Sequence, residues 1–218
     1  MSAGTPAQAS REYLQAVLAG DRRRALAVVD ASCAAGLDVR CLYLQVFQPA
    51  LREIGELWQR GQISVAVEHL ATGITETAMA HVYDRAFEDA HDGEHALLAA
   101  CAQMERHAIG LRMVCDLVEL QGWRTTYLGA SVPPEALARM AADLRPDVVA
   151  LSATIAPHVP QLKESISALR AALPDHLPLI AVGGRPFLEH PGLAERIGAD
   201  LTAPDAARLV EQLKERFP

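Results

Sequence analysis

The feature that most constrains the fold is a change of hydrophobic rhythm close to residue 90. Before it, apolar residues recur at the three- and four-residue intervals of helices, and each run is closed by a stop signal. The run "SREYLQAVLAG" opens at Ser10 and stops at Gly20; "DRRRALAVVDASCAAG" has Asp21 as N-cap and Gly36 as stop. A third run, "DVRCLYLQVFQPALREIGELWQRG", ends at Gly61 and is expected to be kinked or split at Pro49. Ser64 opens a fourth, "SVAVEHLATGITETAMAHVYDRAFEDA". Four helices with short connections predict an antiparallel four-helix bundle. The polar "FEDAHDGEHA" marks a boundary, so the expected division is an all-α domain at 1–92 and a second domain at 93–218.

Beyond the boundary, short apolar segments alternate with helical ones. "ALLAACA", "RTTYLG", "VVALSAT", "PLIAVGG" and a weaker "ADLTA" read as strands. Between and after them lie "AIGLRMVCDLVELQG", "PPEALARMAADL", "PQLKESISALRAAL", "HPGLAERIG" and "PDAARLVEQLKERF", all helical in pattern. This alternation predicts an α/β domain with a five-stranded parallel, doubly wound, Rossmann-like sheet of the flavodoxin type. Ligands of such sheets bind outside the carboxyl ends of the strands.

Charge and cysteine usage remove several classes of function. The net charge is −7, and "DRRR" at 21–24 is an isolated basic cluster, so direct nucleic-acid binding is not expected. Cys33, Cys41, Cys101 and Cys115 lie in apolar segments without a CxxC spacing, which reads as free thiols in a reducing cytoplasm. No signal-like start or membrane-length apolar run is present, so a cytoplasmic protein with no membrane partner is expected. No nucleophile–base constellation or phosphate loop stands out, and an enzyme is not expected.

The chemistry concentrates at the predicted strand ends. His107 lies in "ERHAIG", after the first strand and before the next helix. A metal-binding histidine usually offers its second ring N–H to a carboxylate, and Glu105 can supply one. Gly110 permits close packing where the chain enters the helix. Gly129 closes the second strand, Ser152 and Thr154 close the third, and Gly183-Gly184 close the fourth, leaving hydroxyls and bare backbone along one edge. His91 and His95 are four apart, a metal-capable interval on a helix, but beside Asp and Glu in a linker they read as solvated. His81, His158, His176 and His190 form no usable pattern.

The set "ERHAIG", "GWRTTYLGASVPPEAL", "LSAT" and "AVGG" resembles the cobalamin-binding domain of corrinoid proteins and light-sensing regulators over residues 95–218. The resemblance implies His107 as the lower axial ligand to cobalt and Glu105 as its hydrogen-bond partner. It implies Gly110, Ser152, Thr154, Gly183 and Gly184 as lining for the nucleotide tail, with Gly129 at the same edge. Many members carry Asp where this chain has Glu105.

In the helical half, Trp58 lies near the end of the third run and Glu68-His69 near the start of the fourth, across the short "RGQI". A hairpin brings them to one end of the bundle, where an aromatic plate beside a carboxylate and an imidazole can cover a planar polar ligand. This W-x9-E-H arrangement ahead of a cobalamin domain resembles the CarH-type photoreceptor family. That likeness implies adenosylcobalamin held between the helical cap and the Rossmann-like domain, with methylcobalamin and hydroxocobalamin as the other forms to consider. In the family, light breaks the Co–C bond and the cap rearranges, altering oligomerisation or partner binding.

Two departures qualify the likeness. The bundle begins almost at Met1, so a stand-alone form is expected, signalling through a transcriptional regulator protein or self-association. The DNA-binding members have a His after the capping Trp, where this chain has Gln59, a poor cobalt ligand. The rival readings are a corrinoid methyl-carrier protein of a methyltransferase system, using the same His107 with an open upper face, and a module of this shape that binds no cofactor.

Overall fold

The computed structural model describes residues 5–87 and 93–217. The chain divides into two compact units, Met1–Asp89 and Ala90–Pro218. The first contains α1 (Pro6–Leu18), α2 (Arg22–Ala34), α3 (Val39–Cys41), a π turn (Leu42–Phe47), α4 (Gln48–Gln59) and α5 (Val65–Phe87). The second contains β1 (Ala96–Cys101), α6 (Ile109–Glu119), β2 (Arg124–Tyr127), α7 (Pro134–Leu144), β3 (Val148–Ser152), a 3-10 turn (Ala156–His158) and α8 (Val159–Ala172). It continues through β4 (Leu179–Gly183), α9 (Arg185–Glu189), α10 (Leu193–Ile197), β5 (Leu201–Thr202) and α11 (Ala206–Arg216).

Capping sets the helix starts in the first unit. Asp21 accepts a hydrogen bond from Arg24 N at 3.0 Å, and Asp38 accepts from Cys41 N at 2.7 Å. The first helix starts earlier than the Ser10 expected from its pattern: Thr5 is the cap and Pro6 occupies the first turn, where a missing N–H costs nothing. The third run is neither broken nor sharply divided at Pro49. The hydrogen-bond ladder instead widens to π over Leu42–Phe47, just ahead of the proline. The widened turn sends Leu42, Tyr43, Val46 and Phe47 into the core, where the Phe47 ring lies 4.9 Å from that of Tyr13. Opposite them α5 presents Ala71, Ile74, Thr75, Ala78, Met79 and Val82, one buried stripe at helical spacing. The Tyr13 hydroxyl donates to Thr75 Oγ1 at 3.1 Å, and burial pushes its pKa up to about 12.

The second unit carries a five-stranded, all-parallel sheet in the order β2-β1-β3-β4-β5, the flavodoxin-like arrangement. The central strands are buried along nearly their whole length, which explains their continuous apolar sequences. Leu98, Val149, Leu151, Ile180 and Val182 anchor one core cluster, with Leu162, Ile166 and Leu169 of α8 packed into it. The segment read as a helix over 190–198 holds α10, and a further short helix, α9, precedes it over residues the sequence pattern did not mark. Gly192 at φ 78° separates them, and Pro186 in the first turn of α9 favours the earlier start.

Register aligns the carboxyl ends. Cys101 of β1 pairs with Ser152 of β3, and Ser152 with Gly183 of β4, so three loops leave the sheet side by side. Gly184 follows at φ 111° and ψ 171°, a backbone state open essentially to glycine alone. A Cβ there would stand 2.0 Å from the carbonyl oxygen of Ala153. Gly184→Ala is therefore expected to cost about 3 kcal/mol or more in urea unfolding, combining strain with overlap. Gly183 has ordinary strand backbone, and a Cβ added to it would meet nothing within 4 Å, so it is the matched control that should tolerate Ala.

Candidate functional site

The topology reverses direction between β1 and β3, and the loops after those two strands flank the switch point where doubly wound domains bind ligands. Glu105, in the first loop, is fully buried. Its Oε1 accepts from the backbone N–H of His107 at 2.8 Å and from His107 Nδ1 at 2.5 Å. Its Oε2 accepts from the backbone N–H of Thr154 at 2.6 Å and from His158 Nδ1 at 3.0 Å. One carboxylate thus joins the loop after β1 to the loop after β3.

The electrostatics follow from this count of donors. Burial alone would push the Glu105 pKa up. The ring hydrogen bonds from His107 and His158, with the backbone N–H groups of His107 and Thr154, outweigh it and hold the carboxyl down at about 2. An ionised acceptor at Oε1 fixes the His107 tautomer, with the proton on Nδ1 and the lone pair on Nε2. The His107 side chain is 41% exposed, and its Nδ1 is held by the buried carboxylate.

Neighbouring contacts brace the loop. Tyr127 donates its hydroxyl to the Ala108 carbonyl at 2.9 Å, and Met104 N donates to Ser131 Oγ at 3.0 Å. Met104 and Ser131 both have positive φ, at 70° and 54°. Ser131 N also donates to the Glu105 carbonyl at 2.9 Å. Two strained residues are thus pinned by the bonds that shape the His107 turn.

Of the residues singled out by sequence, Glu105, His107 and Thr154 come together directly, Thr154 through its backbone rather than its hydroxyl. Ser152 lies in register beside them, but its hydroxyl is turned to Cys101 Sγ at 3.3 Å. Burial pushes the Cys101 thiol up to about 11, so it stays protonated at neutral pH. Gly110 is the second residue of α6, Gly183 ends β4, and Gly184 abuts Ala153. Gly129 follows β2 at φ 79°, its carbonyl accepting from Cys101 N at 3.0 Å.

Trp58, Glu68 and His69 belong to the first unit. Trp58 is in the last turn of α4, 39% exposed where the other large aromatics of this unit's core are buried. Glu68 and His69 lie in the first turns of α5, which Ser64 caps. Glu68 Oε2 bonds His69 Nδ1, and its Oε1 accepts from Thr72 Oγ1 at 3.2 Å. Val65 and Leu70 are also exposed on this stretch of α5.

One residue dismissed by sequence is part of the site: His158, which ends the 3-10 turn and has a side chain 15% exposed. The only sequence signal was its place four residues beyond Thr154, in a strand-end loop. His81 pairs with Asp30 at 2.8 Å and His176 with the Pro146 carbonyl at 3.2 Å, both outside the site. His91 lies outside the described residues. Among the described residues, no group of three or more His, Cys, Asp and Glu is placed to hold a metal by itself, and no helix is long and apolar enough to cross a membrane.

Fold and site define the class: a doubly wound α/β domain with a carboxylate-fixed histidine at its switch point, preceded by a helical unit. Residues 9–83 and 96–213 each match a family model described as a B12 binding domain. The chain belongs to the B12-binding domain family, with both its helical and its α/β part represented. It is 33% identical over 184 residues to the HTH-type transcriptional repressor CarH of Myxococcus xanthus, covering 84% of this chain and 60% of that protein. With the repressor CarA of the same organism it shares 40% over 144 residues, covering 65% and 46%. The chain therefore spans less than two thirds of the length of either repressor. Trimethylamine corrinoid protein 1 of Methanosarcina acetivorans is 26% identical over 200 residues, covering 89% of this chain and 90% of that one. The fold is that of the monomethylamine corrinoid protein of Methanosarcina barkeri, at TM-score 0.83, 19% identity and 94% and 96% coverage.

Proposed function

We propose that this protein is an adenosylcobalamin-dependent light sensor that acts through a regulatory partner or through self-association. The observation that carries the reading is the pairing of two features in one chain. The His107 ring is bonded through Nδ1 to a buried carboxylate. The helical unit presents an exposed Trp58 and a bonded Glu68-His69 pair at one end of its hairpin.

The residues suit a corrin. Such a cofactor brings most of the ligands of its cobalt with it and would ask the protein for one donor, which His107 Nε2 would supply. It also brings a long nucleotide tail, for which the aligned ends of β1, β3 and β4, with open space beside Gly183, would leave bare backbone. Glu105 holds the ring of His107 in its ligating tautomer. Gly110, Gly129, Ser152, Thr154, Gly183 and Gly184 line the tail's path in this reading. In this reading Trp58, Glu68 and His69 would serve the upper ligand, the indole offering a flat apolar surface and the Glu–His pair hydrogen bonds to an adenosyl group. Bound adenosylcobalamin supplies a cobalt–carbon bond that light cleaves. The likeness to CarH and CarA supports a regulator.

A second reading has its own support. The trimethylamine corrinoid protein aligns along nearly the whole of both chains. A methyl carrier would use His107 in the same way but would need its upper face open to a methyltransferase, which an indole at that face would hinder.

Visible spectra of the adenosylcobalamin-loaded chain, in the dark and after green illumination, separate the two. A light-driven spectral change accompanied by altered elution on size exclusion is expected. A bound but light-insensitive spectrum would refute the sensor and leave the carrier.

A further inference from the structure

We propose that Met104 is a contact residue for the cofactor, its thioether side chain folding against the corrin beside the ligating imidazole. That contact deepens the site reading above and rests on a corrin being the ligand at His107.

The loop after β1 makes a tight turn before it reaches His107. Glu105 N donates to the Ala102 carbonyl at 2.9 Å, closing a turn with Gln103 and Met104 at its centre. Met104 has φ 70°, and Gln103 is not among the residues with positive φ. A positive φ at the third residue alone is the type II pattern, which calls for Gly or Asn there because a Cβ crowds the neighbouring carbonyl. This chain has methionine instead. The turn is also held from outside, for Met104 N donates to Ser131 Oγ at 3.0 Å and Ser131 N donates to the Glu105 carbonyl at 2.9 Å. Those bonds keep residue 104 in its strained state.

Packing does not offset that strain in the cofactor-free fold. Met104 is 66% exposed, more than any other large apolar residue among those described, so it adds nothing to the core. A residue unfavourable in backbone and idle in packing points to a contact made only when something binds. Its place says what binds. Met104 adjoins Glu105, whose carboxylate holds the His107 ring, and lies beyond the carboxyl end of β1, the edge where such sheets receive ligands. Beyond β3, Ile155 follows Thr154, whose N–H meets Glu105 Oε2 at 2.6 Å, and it too is exposed, at 39%. Two exposed apolar residues thus adjoin the buried carboxylate, one from each loop. A macrocycle with broad apolar surface suits them; a bare metal ion or a small anion does not. Methionine is unbranched and polarisable, so it can follow the irregular outline of a ring edged with side chains.

Three substitutions in the full chain separate contact from strain. Met104→Gly removes both. The midpoint of urea unfolding of the cofactor-free protein should rise by about 0.3 M as the strain is relieved. Its affinity for adenosylcobalamin in the dark should fall about tenfold, the loss expected when much of one methionine side chain is no longer buried. Met104→Ala keeps the Cβ and the strain, so it should lose affinity equally with no gain in stability. Met104→Leu restores similar apolar volume and should bind within about twofold of wild type. A second readout needs no affinity. With methionine methyl groups isotope-labelled for NMR, the Met104 signal, identified by its loss in Met104→Leu, should shift on loading with adenosylcobalamin in the dark. The signal of Met140 on α7, 38% exposed, should stay in place.

A Met104 signal unmoved by loading would overturn the inference, as would Met104→Ala binding as tightly as wild type. If adenosylcobalamin does not bind the wild-type chain, the corrin reading fails and the contact with it. If it binds without an imidazole-ligated spectrum, the reading of His107 as ligand fails alone, and the Met104 signal still decides the contact.

Discussion

Replacing His107 by Ala is expected to abolish the imidazole-ligated spectrum of the cobalamin-loaded protein while leaving the fold intact. The side chain is 41% exposed and contributes little to the core, and the backbone N–H of residue 107 still reaches Glu105 Oε1. The loss should therefore fall on ligation. Truncating a partner of a ligating histidine typically costs 10–100-fold in metal affinity, and removing the ligand should cost at least about that much. Residual binding through the tail pocket is expected, so equilibrium dialysis should still detect cofactor. Added imidazole should partly restore the spectrum by entering the vacated space. An unaltered spectrum in His107→Ala would remove His107 from the site.

The second large effect concerns stability. Glu105 accepts from four donors in a buried position. Glu105→Gln keeps the shape, but an amide has one acceptor oxygen, and its NH2 would face donors. Each buried donor left without an acceptor costs about 1–3 kcal/mol. A destabilisation of about 2–4 kcal/mol is thus expected in urea unfolding of the cofactor-free protein at neutral pH. The pH dependence adds a signature. The folded carboxyl titrates at about 2, below its ordinary 4.5, so folding favours the ionised form. Its contribution is complete above about pH 4.5 and is lost as pH falls towards about 2. Wild-type stability should therefore decline through that window more steeply than that of Glu105→Gln. Parallel curves would show that the carboxylate is not held as described.

Much of the architecture was legible because its causes are local. Asp21 caps α2 as its sequence context indicates, and the unbroken apolar runs of β1, β3 and β4 mark strands buried on both faces. Glu105 and His107 were legible as a pair because two residues of loop bring carboxylate and ring together. His158 was not, because its partner lies 53 residues earlier and the contact exists only if β1 and β3 are neighbours. The bond from the Ser152 hydroxyl to Cys101 Sγ was not legible either, because it too needs β1 and β3 in register. The short helix α9 was not legible, because five residues are too few to show a helical apolar pattern. Trp58 and the Glu68-His69 pair stand near the facing ends of α4 and α5, as their spacing across the short link indicates.

The π turn ahead of Pro49 has a consequence for how this helix tolerates change in length. A widened turn of this kind holds one residue more than an α ladder of the same span, a single unit of slack wound into the coil. Losing one residue within Leu42–Phe47 would let the ladder close to α while Trp58 keeps its heading. Losing one from the regular turns of α4 would instead swing everything after it by about 100°. The helix can thus shorten at one place without turning its indole aside, and that place lies well upstream of the indole itself.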